Sequence, residues 1–362
     1  MESFTPSRLA LARHRRGKRK KDLESIVSTR SLSAYEAGTQ QPNPLTVLQL
    51  ANALQFPVAF FYAPDLEELP ADGTSFRAMS RLTAEKAHQA CGAAVLALAL
   101  SDWMDRRFSL PVTEVPRLRG VEPEVAAEIV RTEWGLGERP IRNLVHLLEA
   151  RGTRVFSLAE AYAEVDAFSF WRDDNHPYVF LNTMKSAEHA RMDAAHELGH
   201  LVLHWRHEIP RGREYEHEAE RFGSAFLMPR ASIVAEAPRG SDLSRIIQAK
   251  KRWKVSAAAL VYRMHQVGVL SDWQYRSLFI ELSQRGYRKT EPQGMERETS
   301  QVLAKVFSSL RSEGVTKSDI ARELRIYPAD IDELIFGLVM TGMAGEATPS
   351  PGREERPALR LL

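Results

Sequence analysis

Two imidazoles and a carboxylate stand in the order His196-Glu197-Leu198-Gly199-His200, and this is the strongest chemical signal in the chain. On a helix of 3.6 residues per turn, His196 and His200 share one face and can reach a single metal ion. Glu197 projects beside them, placed to take a proton from water. The run from Ala187 to Trp205 holds no proline and only the glycine inside the motif, so a helix is expected there. A chain of this composition would contain the bare motif by chance roughly 0.03 times, so its support must come from a third ligand. A catalytic zinc usually has three protein ligands and an open position. The single cysteine, Cys91, excludes a thiolate cluster and an internal disulfide framework, which leaves His and carboxylates.

Position 206 is Arg, so a third histidine six residues after His200 is lacking. His204 lies two turns from His196 and reads as a structural or supporting residue outside the metal's immediate ligands. An acid on the next helix fits better. Tyr215 to Phe222 opens one, with Phe222, Ala225, Phe226 and Met228 as its apolar side. Glu216 and Glu220 fall one turn apart, one to ligate and the other to support the ligands. Arg191 and Asp193 read as helix-surface charges. Ahead of the motif helix, Val155 to Leu158, Ala167 to Trp171 and Tyr178 to Leu181 are short strand candidates. The expected unit is therefore α+β with a small sheet.

Ala194-Ala195-His196-Glu197-Leu198-Gly199-His200-Leu201-Val202-Leu203-His204, then Glu216-x-x-Ala219-Glu220-x-Phe222 and Phe226-Leu227-Met228-Pro229, resembles the ImmA/IrrE family of bacterial metallopeptidases. The resemblance spans residues 141–229. It implies a zincin-like fold, His196, His200 and Glu216 as metal ligands, and Glu197 as general base of a metallo-endopeptidase. Two positions depart from the family pattern: its usual Asn/Asp is Glu220 here and its usual Ala is Gly223. Glu220 and His204 remain the expected supporting residues. It also implies that Phe180, Leu181 and Asn182 lie on an edge strand that pairs with an extended substrate. Zinc is the expected cation, with manganese the alternative. An oxyanion-stabilising His or Tyr is expected, and His217 and Tyr215 are nearest in sequence.

At the other end, Arg8-Leu9-x-x-Ala12-Arg13, Ser31-Leu32-Ser33-Ala34-Tyr35-Glu36-Ala37-Gly38, Pro42, Leu48, Leu50-Ala51 and Leu54 resemble an XRE-type (Cro-like) helix-turn-helix domain. Four or five short helices are expected over residues 6–62. The resemblance implies double-stranded operator DNA as a partner. Ser28, Thr29, Arg30, Ser31 and Ser33 would face bases or backbone, and Arg13, Arg15, Arg16, Lys18 and Lys20 phosphates. The segment between Leu23 and Tyr35 is about two residues shorter than such domains have, which predicts an altered turn before the recognition helix. A homodimer would suit two half-sites.

Composition sets the frame. With 362 residues, 44% hydrophobic and 27% charged, the chain is an ordinary multidomain globular protein, not a disordered one. The formal charge of +2 hides two basic blocks: residues 1–62 carry nine Lys/Arg against four Asp/Glu, and residues 241–290 ten against three. No segment approaches a membrane span and no leader pattern opens the chain, so a cytoplasmic location is expected. The expected order is a helix-turn-helix domain (1–64), a helical linker (65–120), the metallopeptidase domain (121–235), a basic helical region (236–290), a helical C-terminal domain (291–347) and a flexible tail (348–362). The basic block around Lys250 and Arg263 reads first as a packing element. The expected function is a DNA-binding transcriptional regulator whose zinc-dependent peptidase domain cleaves a repressor or other regulatory protein in a stress or prophage-type response. The alternative is a transcription factor whose peptidase-like domain is an inactive sensor or interaction module.

Overall fold

Helix starts are dictated locally. Ser28, Asn43, Thr83, Asn143, Ser186, Asp242, Ser256, Ser271 and Thr316 each accept a backbone N–H of the first turn that follows. Pro6, Pro44, Pro123 and Pro328 sit where a missing N–H costs nothing. The computed structural model describes residues 3–67, 69, 83–158, 167–205, 213–238, 240 and 242–339. The tail expected over 348–362 lies outside them. Among the described residues are fifteen α-helices and three strands: α1 (Pro6–Arg15), α2 (Thr29–Glu36), α3 (Pro44–Leu54), α4 (Ala84–Asp105), α5 (Pro123–Glu133), α6 (Leu144–Ala150), β1 (Arg154–Leu158), β2 (Ala167–Arg172), β3 (His176–Asn182), α7 (Ala187–Leu203), α8 (Arg213–Leu227), α9 (Arg230–Glu236), α10 (Leu243–Trp253), α11 (Ala257–Gln266), α12 (Asp272–Gln284), α13 (Gln301–Ser312), α14 (Lys317–Leu324) and α15 (Pro328–Ile335).

The chain divides into two compact units. One contains the described residues up to 110, residues 156–158 and those from 302 onward. Its core is α1 laid along α4, with α14 and α15 on the same helix. A Cβ on Gly92 would come within 3.0 Å of Arg15 Cα, so the α1–α4 approach depends on that glycine. Trp103 donates its indole N–H to Glu323 at 2.8 Å, and Arg16 pairs with Asp330 of α15. The C-terminal helices are thus built onto the N-terminal ones, where the sequence suggested a separate module. Of the four or five short helices expected over residues 6–62, three are α-helices, and Lys20–Leu23 and Val58–Tyr62 form short 3-10 turns.

The other unit contains residues 111–155 and 167–301 of the described chain. The helices of the basic region belong to it and are not a body of their own. Lys250 is buried between Glu188, at 3.3 Å, and Glu291, at 2.9 Å. Arg263 is buried against Glu124 and donates to Met228 O at 2.9 Å. A strap without regular structure follows α12, and side chains from α7 hold it. Arg191 pairs with Glu298, and the Glu188 carboxylate accepts the Met295 N–H at 2.8 Å. The Arg191 side chain is 0% exposed, so it is a buried cation and not the expected surface charge.

The strands form a sheet of order β1-β3-β2. β2 and β3 are an antiparallel hairpin with Phe168 opposite Phe180 and Phe170 opposite Tyr178. Their rings stack at 4.5 and 5.4 Å on one face. The opposite face of β2 turns Ser169 and Trp171 to α7, as the two-residue period of a strand requires. One expectation is overturned here: Phe180, Leu181 and Asn182 are on the central strand. β3 has β1 on one side and β2 on the other, so it is not an edge strand. Strand order comes from which hairpin meets which third strand, and strand composition does not encode it.

Candidate metal centre

The motif helix α7 and the following α8 lie unusually close because their contact is made of small residues. A Cβ on Gly199 would fall 3.1 Å from the Cα and O of Ala219. One on Gly223 would fall 3.0 Å from the His196 backbone N. The departure from Ala at 223 therefore has a structural reason. This close crossing carries the Glu216 carboxylate over the two motif imidazoles.

His196 Nε2 lies 3.0 Å from His200 Nε2, and the two nitrogens are 3.6 and 3.7 Å from the Glu216 carboxylate oxygens. One donor atom from each residue fits within 4.8 Å of the others. Bonds of about 2.0–2.1 Å to a tetrahedral ion give donor–donor edges of about 3.3 Å, which the three separations bracket. A two-imidazole, one-carboxylate set fits a divalent cation of the zinc type. His196 is half-buried and His200 buried, so the cluster is reachable from one side.

Glu197 is fully enclosed beside it, and burial pushes its carboxyl up to about 7, against the pull of the His196 charge and of Ser169. Ser169 Oγ donates to Glu197 Oε2 at 2.6 Å, orienting the carboxylate from β2. Burial works to lower His196, yet hydrogen bonding to Glu216 and the charges of Glu197, Glu216 and Asp193 raise it overall. Asp193, expected on the surface, is pushed up by burial, while His189, Lys185 and His196 oppose that rise.

The supporting residues differ from expectation in one case. His204 is buried at the C-terminal end of α7, and its Nδ1 lies 2.9 Å from His200 Nδ1. The carboxylate that reaches it is Glu218, at 2.8 Å from Nε2. Glu220 is 55% exposed and lies 3.9 Å from His217, on the outer flank of α8, so it supports no histidine of the cluster. Tyr215 packs edge-on against His204 at 5.0 Å and His217 is exposed. Sequence reasoning missed Ser169, Glu218 and the burial of Asp193. A hydroxyl isolated among Phe168, Phe170 and Trp171 was the one available signal for Ser169.

The residues expected to meet DNA divide into two groups. Arg13 grips Glu36 with two contacts, at 2.5 and 3.1 Å, and donates to Lys18 O. Arg15 is buried and paired with Glu333. Arg16 pairs with Asp330 at 2.8 Å and lies over the Phe56 ring. Lys20 contacts Glu36 and the Ser33 hydroxyl. Arg13 and Arg15 are thus held within the unit by α1, whereas Arg16 and Lys20 keep part of their side chains exposed beside their carboxylate partners. Lys18, Ser28 and Arg30 are exposed, Thr29 and Ser31 partly so, and Ser28 is also the N-cap of α2.

Residues 148–265 match the family model of the IrrE N-terminal-like domain, a peptidase family. That segment contains the sheet, the motif helix and all three members of the His–His–Glu cluster. The match supports the resemblance in its peptidase part and implies a bound metal. No curated protein matches the chain. Among the described residues no helix is long and apolar enough to cross a membrane.

Proposed function

We propose that the unit containing residues 111–155 and 167–301 is a zinc-dependent endopeptidase acting on a regulatory protein. The observation that carries this is the convergence of His196, His200 and Glu216 beside the enclosed carboxylate of Glu197. A cation held there would polarise the scissile carbonyl and acidify the attacking water. Glu197 would accept the water proton and return it to the leaving amine, and a carboxyl near neutrality suits both steps. Ser169 holds the carboxylate in place between them. An extended peptide would add to the outer edge of β2, the terminal strand whose Ser169 touches Glu197.

The test is metal content and cleavage together. About one zinc or manganese per chain is expected, lost in His196→Ala and in Glu216→Ala. Co-expression with candidate repressors should yield a cleavage product, seen by mass spectrometry, that disappears in Glu197→Gln. Stoichiometric metal with no product dependent on Glu197 would favour the sensor reading. A second activity rests on α2, whose first turn leaves Ser28 and Arg30 exposed: the N-terminal helices would bind operator DNA, as a monomer or as a homodimer on two half-sites. Binding that ignores rising salt would count against it.

A further inference from the structure

Beyond the three candidate ligands, a chain of contacts runs outward from His200. His200 Nδ1 meets His204 Nδ1 at 2.9 Å, and His204 Nε2 meets Glu218 Oε2 at 2.8 Å. The geometry points to Glu218 and His204 as positioning residues that set the tautomer of His200 and so aim its Nε2 lone pair at the metal. This inference rests on the metal-site reading above.

The chemistry of each atom sets the direction of the relay. A metal taken by the Nε2 lone pair of His200, the atom that faces His196 and Glu216, leaves that ring's proton on Nδ1. His200 Nδ1–H then donates to His204 Nδ1, and the proton of His204 is on Nε2, where it donates to the Glu218 carboxylate. Carboxylate-to-imidazole contacts of this kind hold a ring's orientation and raise its basicity as a ligand. Here the carboxylate acts through an intervening imidazole.

The fold holds the middle of the relay still. His204 is 3% exposed, its backbone N–H bonds to His200 O at 2.9 Å, and the Tyr215 ring packs edge-on against it. Glu218 is two residues from Glu216 on α8, so one helix supplies a proposed ligand to His200 from one side and the anchor of its relay from the other.

The experiment is zinc affinity of the full chain, measured by competition with a chromophoric chelator. The panel is wild type, His196→Ala, Glu218→Ala, Glu218→Gln, His204→Phe and Glu220→Ala, with the melting temperature of each metal-free protein alongside. Glu218→Ala and His204→Phe should weaken zinc binding by about 10–100-fold. Glu218→Gln, which keeps an oxygen to accept from His204, should recover a large part of that loss, and Glu220→Ala should match wild type. Nitrogen-15 NMR of the zinc-loaded wild type should show the proton of His200 on Nδ1. If Glu218→Ala binds zinc within twofold of wild type while His196→Ala does not bind, the relay is refuted and the metal site stands. If wild type binds no zinc, both fall. His204→Phe can fail to fold, but Glu218 is a half-exposed side chain whose removal should leave the helices intact, and its result decides the matter.

Discussion

Replacing Glu197 by Gln should stabilise the metal-free protein at alkaline pH. The Glu197 carboxyl is enclosed and raised to about 7 from an ordinary 4.5. Between those values the folded state holds a proton that the unfolded state has released, so stability falls as pH rises through the window. At about 1.4 kcal/mol per unit, the charged form costs the fold about 3 kcal/mol by pH 8 and nothing at pH 4. Gln keeps the size and an acceptor for the Ser169 hydroxyl, and it cannot ionise. At about 2–4 °C per kcal/mol for a unit of this size, the variant should melt about 6–12 °C higher at pH 8 in chelator-treated samples. The gain should shrink through pH 6 and vanish near pH 4. Thermal melts of wild type and variant from pH 4 to 8 measure it. Parallel curves across that range would show that the carboxyl is not held up by burial, and the argument for a base poised near neutrality would fail.

Gly223→Val should lower stability by about 1–3 kcal/mol and weaken zinc binding together, because the added atoms push α8 off the His196 backbone; melts and chelator competition read both. Glu298→Ala should leave the buried Arg191 guanidinium without this partner and cost about 3–5 kcal/mol in urea unfolding. Arg13→Ala should lower the melting temperature by breaking the contact with Glu36, whereas Arg30→Ala should leave it unchanged and weaken operator binding in a salt-dependent gel-shift assay.

The sequence alone determined the parts governed by local geometry. The four-residue spacing of His196 and His200, uninterrupted by proline, requires a helix with both rings on one face. Capping residues such as Ser186 and Ser28 start α7 and α2 where they stand, because a side chain that accepts an N–H needs only its own neighbours. The strand segments were legible from aromatic runs, and Glu216 could be placed one helix away.

Tertiary structure decided everything that depends on a partner distant in the chain. That β3 is central follows from β1 pairing on its far side, which no property of Phe180 or Leu181 announces. Whether Glu218 or Glu220 reaches His204 depends on the rotation of α8 against α7, set by the fit of Gly199 to Ala219 and of Gly223 to His196. The arginines of α1 look alike in sequence, and it is their distant carboxylates, Glu36, Asp330 and Glu333, that turn them from a surface charge into internal pairs. Periodicity sets the face a residue shares, while close packing between elements sets what that face meets.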